Sequence, residues 1–529
     1  YADALREYCA EPYHGALKAD IRLLESGELV IGEIASRLSG GWMSTHTYPL
    51  ATGLDLMNGY LDLLEDRKPK WWHQKLETDY THVALERGIF TELGEIVEWE
   101  VPEGFAEIDR AKGESIEMKQ TLQKGDLVPV VQSNVDKAGH TIVSALSYEK
   151  AEALLERAQN SVALKTQWPS WSRRQLERRA RKRFNNDYCW VCKECDGQHC
   201  ASSLPGMGGK GAMKTFQDNL TALREYYIRP DYLVNNEYAT TDLPENIDIS
   251  TDILGARFNI PILTAPITGS QSNMGGSITE WDYAVETGAG ALKAGGWPTF
   301  GDGASPDKYF VGLSAIQMLG AGFPVFKPRA NLTELARRIR TAADFGAQAW
   351  GLDIDGLAFK TMSQQNQRTR RLAVGELQDL AKETNLPFFL KGIMSIEDAN
   401  KAWEAGAKAV IVSNHGGRVL DGLPGTARVL PAIAEALKHK SNAPQILADG
   451  GVRSGTDVLR MLALGAEAVL VGRPVTIAAM GAGRYGVHSL LQLYAQELRE
   501  SLRVLGIDKL RGLSDGILTR FNQSKEKAR

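Results

Sequence analysis

The sequence predicts an α/β protein: a C-terminal (β/α)8 TIM barrel preceded by an additional α+β domain. Three observations carry this. Eight short apolar runs recur after residue 259, helical patterns separate them, and polar residues suited to chemistry sit just past the ends of the runs. A doubly wound open sheet is the alternative for such alternation, and the count of eight favours the barrel.

The candidate strands are Ile260–Ile267, Gly290–Ala294, Phe323–Lys327, Ala349–Asp355, Pro387–Ile393, Ala409–Ser413, Gln445–Ala448 and Ala468–Val471. They are almost continuously apolar, as strands sheathed by helices should be. Helical patterns lie between them, at Leu332–Phe345, Ser395–Ala405, Thr426–Lys438 and Ser454–Leu464. A last helix from about Ser489 to Leu505 is expected to pack back on the barrel, and the polar tail Asn522–Arg529 to fray.

Residues 1–165 read as the α+β domain. Helices are expected at Ala2–Cys9, Gly53–Glu65 and Tyr148–Gln159, and strands at Ile96–Val101, Leu127–Gln132 and Thr141–Ala145. The histidines there (His14, His46, His73, His82 and His140) follow no spacing rule and read as surface or satisfied core residues. Residues 166–210 hold a basic helix, Ser172–Arg183, and a Cys-rich segment; residues 211–529 make the barrel. The basic helix reads first as a solvated linker and second as a docking patch for an acidic electron-acceptor protein.

A chain of 529 residues is too long for one ordinary core. A net charge of −4 excludes a global drive toward nucleic acid. No apolar run is long enough to span a bilayer. The sequence opens on Tyr1 with no charged-then-apolar leader, and a cytoplasmic protein is expected. Of five cysteines, Cys189, Cys192, Cys195 and Cys200 fall in one short segment, whereas a disulfide framework would spread them. Their spacing suits an iron–sulfur cluster or a structural Zn site, with free redox thiols as the third reading.

The ends of the apolar runs deliver the chemistry. The first gives Ala265, Pro266 and Thr268, the second leads to Trp297, and the third gives Lys327 and Arg329. Asp353 and Asp355 follow at the fourth, Lys391 at the fifth, and Ser413-Asn414-His415-Gly416-Gly417-Arg418 at the sixth. The seventh gives Asp449, Gly450, Gly451 and Arg453, and the eighth Gly472 and Arg473. A histidine is a natural base near neutral pH and an arginine a natural fork for a carboxylate. Glycines and arginines at the last two ends suit a phosphorylated cofactor.

Several of these motifs resemble the FMN-dependent α-hydroxy acid dehydrogenase and oxidase family, to which glycolate oxidase belongs. The resemblance rests on Ser413–Asp421, Leu390-Lys391-Gly392, Ala448–Arg453 with Gly455 and Asp457, and Gly472-Arg473-Pro474. It implies FMN as cofactor, with Ala265, Pro266, Thr268, Lys327, Lys391, Ser413, Asp449, Gly451, Arg453, Gly472 and Arg473 around it. It implies His415 as the base, taking the hydroxyl proton as hydride leaves for flavin N5, or abstracting the α-proton. Asp355 would orient His415, Arg418 would pair with the substrate carboxylate, and Lys391 would stabilise the reduced ring. It also implies a homo-oligomer.

The substrate side departs from the family. A Cys-rich stretch running into Pro205-Gly206-Met207-Gly208-Gly209 stands where relatives carry a tyrosine, and resembles a Cys-rich bacterial branch of the family. Lys327-Pro328-Arg329 replaces a Gln and a Tyr, and Gly356–Lys360 replaces a second substrate arginine. Arg329 and Trp297 are the candidates to complete the substrate site beside Arg418. The expected function is oxidation of a 2-hydroxy acid or related carboxylate. The alternative is a flavin-and-metal electron-transfer or partner-binding protein.

Overall fold

The computed structural model describes residues 16–71, 82–100, 108–109, 113–131, 133, 135–184, 188–200, 206–230, 232, 243–357 and 359–520. The helix expected at Ala2–Cys9, the tail Asn522–Arg529, Cys9, Pro205 and Ala358 lie outside the described residues. The chain forms two compact units, Tyr1–Pro169 and Ser170–Arg529.

The first unit is α+β. Antiparallel strands Val83–Ile89, Gly139–Ala145, Glu114–Gln120 and Ile108–Asp109 lie in that order in one sheet. Helix Tyr148–Asn160 buries Ala151, Leu154, Leu155 and Ala158 against Ile116, Val143 and Ala145 of the sheet. Ser147 starts the helix by accepting from Lys150 N. Strand Glu95–Glu100 pairs with Ala163–Gln167, and Lys18–Leu23 with Leu29–Ala35. Of the strand expected at Leu127–Gln132, Gln132 lies outside the described residues and Leu127 forms an isolated bridge to Glu95.

The second unit is the barrel. Its parallel strands are β1 (Ile262–Thr264), β2 (Thr299–Gly301), β3 (Phe323–Phe326), β4 (Trp350–Asp353), β5 (Phe388–Ile393), β6 (Ala409–Val412), β7 (Gln445–Ala448) and β8 (Ala468–Val471). Each of β2 to β7 pairs with the next in number, and β8 pairs with β1. Backbone bonds from Thr264 N to Trp297 O (3.0 Å) and from Trp297 N to Ile262 O (3.1 Å) close the ring between β1 and the approach to β2. Side chains alternate as the pleat requires. On β6, Ala409 and Ile411 fill the interior while Val410 and Val412 face the helices.

One expected strand is corrected. Gly290–Ala294 is the end of helix Glu280–Ala294, and the second strand lies further on at Thr299–Gly301. The glycines serve close helix packing: a Cβ at Gly290 would stand 2.5 Å from Arg484 O on helix Arg473–Val504. That terminal helix begins well before Ser489 and is interrupted at Ala482 and Gly483.

The hairpin Thr251–Ile253 and Ala256–Phe258 plugs the barrel at the strands' starts. Phe258 stacks on Trp297 at 5.1 Å, and Trp297 meets Phe323 at 5.6 Å. The basic helix Arg173–Phe184 is a packed element of this unit. Leu176, Ala180 and Phe184 are buried, each large side chain stabilising by about 1.5–3 kcal/mol. Arg179 Nε donates to Gly481 O at 2.7 Å, and Arg173 Nη1 to Arg453 O at 3.2 Å.

Candidate active site

The ends of the eight strands open on a cavity of about 550 Å³. Ala265, Pro266, Thr268, Lys327, Lys391, His415, Arg418, Asp449, Gly451, Arg453, Gly472 and Arg473 line it, all expected from the sequence.

His415 is held by its own backbone and by two carboxylates. It has φ +56°, followed by Gly416 at +61° and Gly417 at +76°, a left-handed run that is costly for a histidine. A Cβ at Gly416 would stand 2.6 Å from Arg473 Nη1, and one at Gly417 2.7 Å from Phe216 N. Nδ1 lies 3.1 Å from Asp355 Oδ1 and 3.6 Å from Asp353 Oδ1. This leaves Nε2 as the nitrogen for the substrate. Phe359 lies edge-on to the ring at 5.0 Å. β5 shifts register after Lys391, and at Gly392 (φ +103°) a Cβ would stand 2.7 Å from Asp355 Cγ, so only glycine leaves room for that carboxylate.

Asp353 is the electrostatic centre. It sits opposite Lys391 in the β4–β5 register and takes Lys391 Nζ at 3.0 Å and Lys327 Nζ at 2.6 Å. Burial alone would raise its carboxyl, but His415, Lys327 and Lys391 outweigh it and hold the group below the usual carboxylate range. Burial opposes the Lys391 charge, and Asp353, Asp449 and Asp355 more than restore it, raising its ammonium above the ordinary value. Ser413 Oγ donates to Asp449 Oδ2 at 2.7 Å and accepts from His415 N at 3.1 Å, so Ser413 links β6 to β7 behind the cavity. Asp449 is raised by burial, and its Oδ1 is enclosed without a partner.

Three arginines face the cavity without a carboxylate among the described residues. Arg418 donates through Nη2 to Asn273 Oδ1 at 2.9 Å, while its enclosed Nε has no partner; burial lowers it to about 10. Arg473 is lowered to about 9 by burial and by Arg418 and Arg453. It donates to Met207 O (2.6 Å), Gly208 O (2.9 Å) and Gly416 O (3.1 Å). Arg453 is lowered by burial. Such a cluster is costly unless an anion joins it. The enclosed acceptor of Asp449 and these arginines suit the ribityl hydroxyls and phosphate of FMN, so the residues present fit that cofactor.

Two expected substrate residues lie elsewhere. Trp297 sits at the starting end of the strands, against Phe258 and Phe323, because it precedes β2 and does not follow it. Arg329 does not line the cavity. Its guanidinium is committed to Asp302, 3.0 Å from Oδ1, and to Gly303 O at 2.7 Å. Asp302 also takes Arg338 Nη1 at 2.8 Å. Asp302, Gly303 and Lys308 line the cavity and were not expected; they follow the strand that sequence reading misplaced. Asn219 was likewise missed, and exchanges two amide hydrogen bonds with Asn414, at 2.9 and 2.8 Å.

The segment that follows the cysteines reaches the rim, where Met207, Gly209, Lys210, Gly211 and Met213 line the cavity. Asp421 anchors this segment by accepting from Ala212 N at 2.7 Å and Thr215 N at 3.0 Å. Of the four cysteines, Cys189 and Cys192 each feel the thiols of Cys195 and Cys200. Among the described residues, the ligand atoms that converge are those of Asp353, Asp355 and His415. Cys189 and Cys200 hydrogen-bond to each other, and the flanking rings of Trp190 and His199 lie 5.7 Å apart. That bond lowers Cys200 to about 6, with help from Trp190 N, Arg473 and His199 against burial.

Residues 322–520 match the FMN-dependent dehydrogenase family. L-lactate dehydrogenase of Xanthomonas axonopodis pv. citri (strain 306) is 46% identical over 142 residues, 27% of this chain and 36% of that protein. 4-Hydroxymandelate oxidase of Amycolatopsis orientalis is 48% identical over 128 residues, 24% of this chain and 35% of that protein. The chain thus spans about a third of the length of the curated relatives it matches. A structure of mandelate oxidase with (S)-2-phenylpropionate superposes with a TM-score of 0.52 at 29% identity, covering 66% of this chain and 97% of that one. A mandelate oxidase mutant with the monooxide FMN adduct gives 0.51 at 30% identity, covering 65% and 98%. Barrel, rim residues and relatives agree, and the chain belongs to the FMN-dependent α-hydroxy acid dehydrogenase and oxidase family.

Proposed function

We propose that this chain is an FMN-dependent oxidoreductase that oxidises a 2-hydroxy acid. The observation that carries the reading is His415, bonded through Nδ1 to Asp355 on the same rim as a carboxylate-free Arg418. Arg453 and Arg473 would hold the cofactor phosphate, Asp449 the ribityl chain, and Lys391 the polar edge of the ring. When bound, FMN supplies the two-electron acceptor for the substrate's α-carbon.

Arg418 pairs with the substrate carboxylate and turns the hydroxyl toward His415. His415 Nε2 takes the hydroxyl proton. Asp355 keeps the proton on Nδ1 and stabilises the imidazolium that results. Phe359, edge-on to the His415 ring, gives the base an apolar neighbour.

Anaerobic addition of 2-hydroxy acids to FMN-loaded protein tests this. The flavin band near roughly 450 nm should bleach, and His415→Ala should slow bleaching about 1,000-fold, within the usual range for a general base. Bleaching at an unchanged rate in the variant would remove His415 from the reaction.

A further inference from the structure

One wall of the cavity carries a second cation that the proposed reaction does not use. Lys308 stands in the first turn of helix Pro306–Leu319. Its stem lies over Gly303, where a Cβ would stand 2.5 Å from Lys308 Cδ. Its ammonium is 3.5 Å from the Cβ position of Gly269, a point only 2.8 Å from Asn273 Nδ2. Asn273 in turn accepts from Arg418 at 2.9 Å. Arg418 thus bonds the Asn273 amide, and Asn273 and the Lys308 ammonium both approach Gly269 on the same wall.

No carboxylate among the described residues pairs with either cation. Asp302, beside Gly303, is already taken by Arg329 and Arg338. Glu280, near Gly269, accepts from the backbone N–H groups of Gly269 and Ser270. Asp307 is exposed and takes Ser305 Oγ at 3.1 Å. A lysine in the first turn also adds to the positive pole of its helix. The wall is thus built with excess positive charge at two points, and a monocarboxylate answers only one of them.

We infer that Arg418 and Lys308 together receive a 2-hydroxydicarboxylate, Arg418 taking the carboxylate beside the reacting carbon and Lys308 the distal one. This rests on the hydroxy-acid reading of the site and names its substrate class.

Calorimetric titration of FMN-loaded protein with 2-oxoglutarate and with 2-oxobutyrate tests it without turnover. The dicarboxylate should bind at least about tenfold more tightly, the scale of one partly desolvated ion pair. Lys308→Met should reduce that ratio to about one, and Lys382→Met, a remote surface change, should leave it intact. A ratio near one in the unmodified protein, or one that survives Lys308→Met, overturns the assignment. Anaerobic bleaching separates the two readings. Bleaching by monocarboxylates without a dicarboxylate preference removes the substrate class alone. A binding preference without bleaching by any hydroxy acid keeps the two-cation wall and removes the proposed reaction.

Discussion

Asp355→Asn isolates charge from shape at the base. The amide still reaches His415 Nδ1, so the ring keeps a neighbour, but the imidazolium loses its nearest counter-charge. Two unit charges about 3.1 Å apart interact by about 5 kcal/mol at an effective dielectric of about 20. Asp353 remains 3.6 Å from Nδ1, though Lys327 and Lys391 share its charge, and the amide dipole retains part of the interaction. We take about 3 kcal/mol as the net loss, or roughly 150-fold in the rate of flavin bleaching. Anaerobic stopped-flow measurement at saturating hydroxy acid reads this rate directly. Substrate affinity should change by less than about threefold, because the loss falls on the transition state. A rate within about fivefold of the unmodified protein would refute the reasoning. So would a loss carried wholly by affinity.

Three further outcomes follow from the same geometry. Asp353→Asn should cost about 3–5 kcal/mol in denaturant unfolding, because it strands Lys327 and Lys391 around a carboxylate that is 2% exposed. Asp353 titrates below its unfolded value, so its contribution is present above about pH 4 and fades on acidification; the gap between variant and parent should narrow there. Arg418→Met should lower kcat/KM for hydroxy acids about 100-fold or more while FMN binding is retained, measured by steady-state kinetics and flavin fluorescence titration. Alkylation of Cys200 should rise through about pH 6, well below an ordinary thiol, and peptide mapping should find it ahead of Cys189, whose thiol is raised by its bond to Cys200 and by burial.

The barrel and most of its rim were legible because the chemistry follows apolar runs at fixed places. Ala409–Val412 leads to His415 and Arg418, Phe388–Ile393 carries Lys391, and Gln445–Ala448 leads to Asp449. The second strand was not legible. Thr299–Gly301 is three residues long, while the small residues of Gly290–Ala294 imitate a buried strand and in fact let two helices touch. That one displacement put Trp297 at the wrong end of the barrel and hid Asp302 and Lys308. Arg329 was placed correctly in the chain, but sequence gives no sign that Asp302 holds it.

The left-handed run at His415, Gly416 and Gly417 has a consequence for how such an enzyme diversifies. Two of its three positions are closed to side chains by Arg473 and Phe216, and the third is occupied by the base itself. The turn is therefore barred from drifting without loss of the reaction. The segments 206–213, 303–308 and 359–362 supply much of the remaining wall from separate connections, and their own tight points, Gly211 against Asp421 and Gly303 against Lys308, do not involve the base. Descent with modification can exchange those walls one at a time while the base stays fixed, so new substrates are reached by replacing connections rather than chemistry.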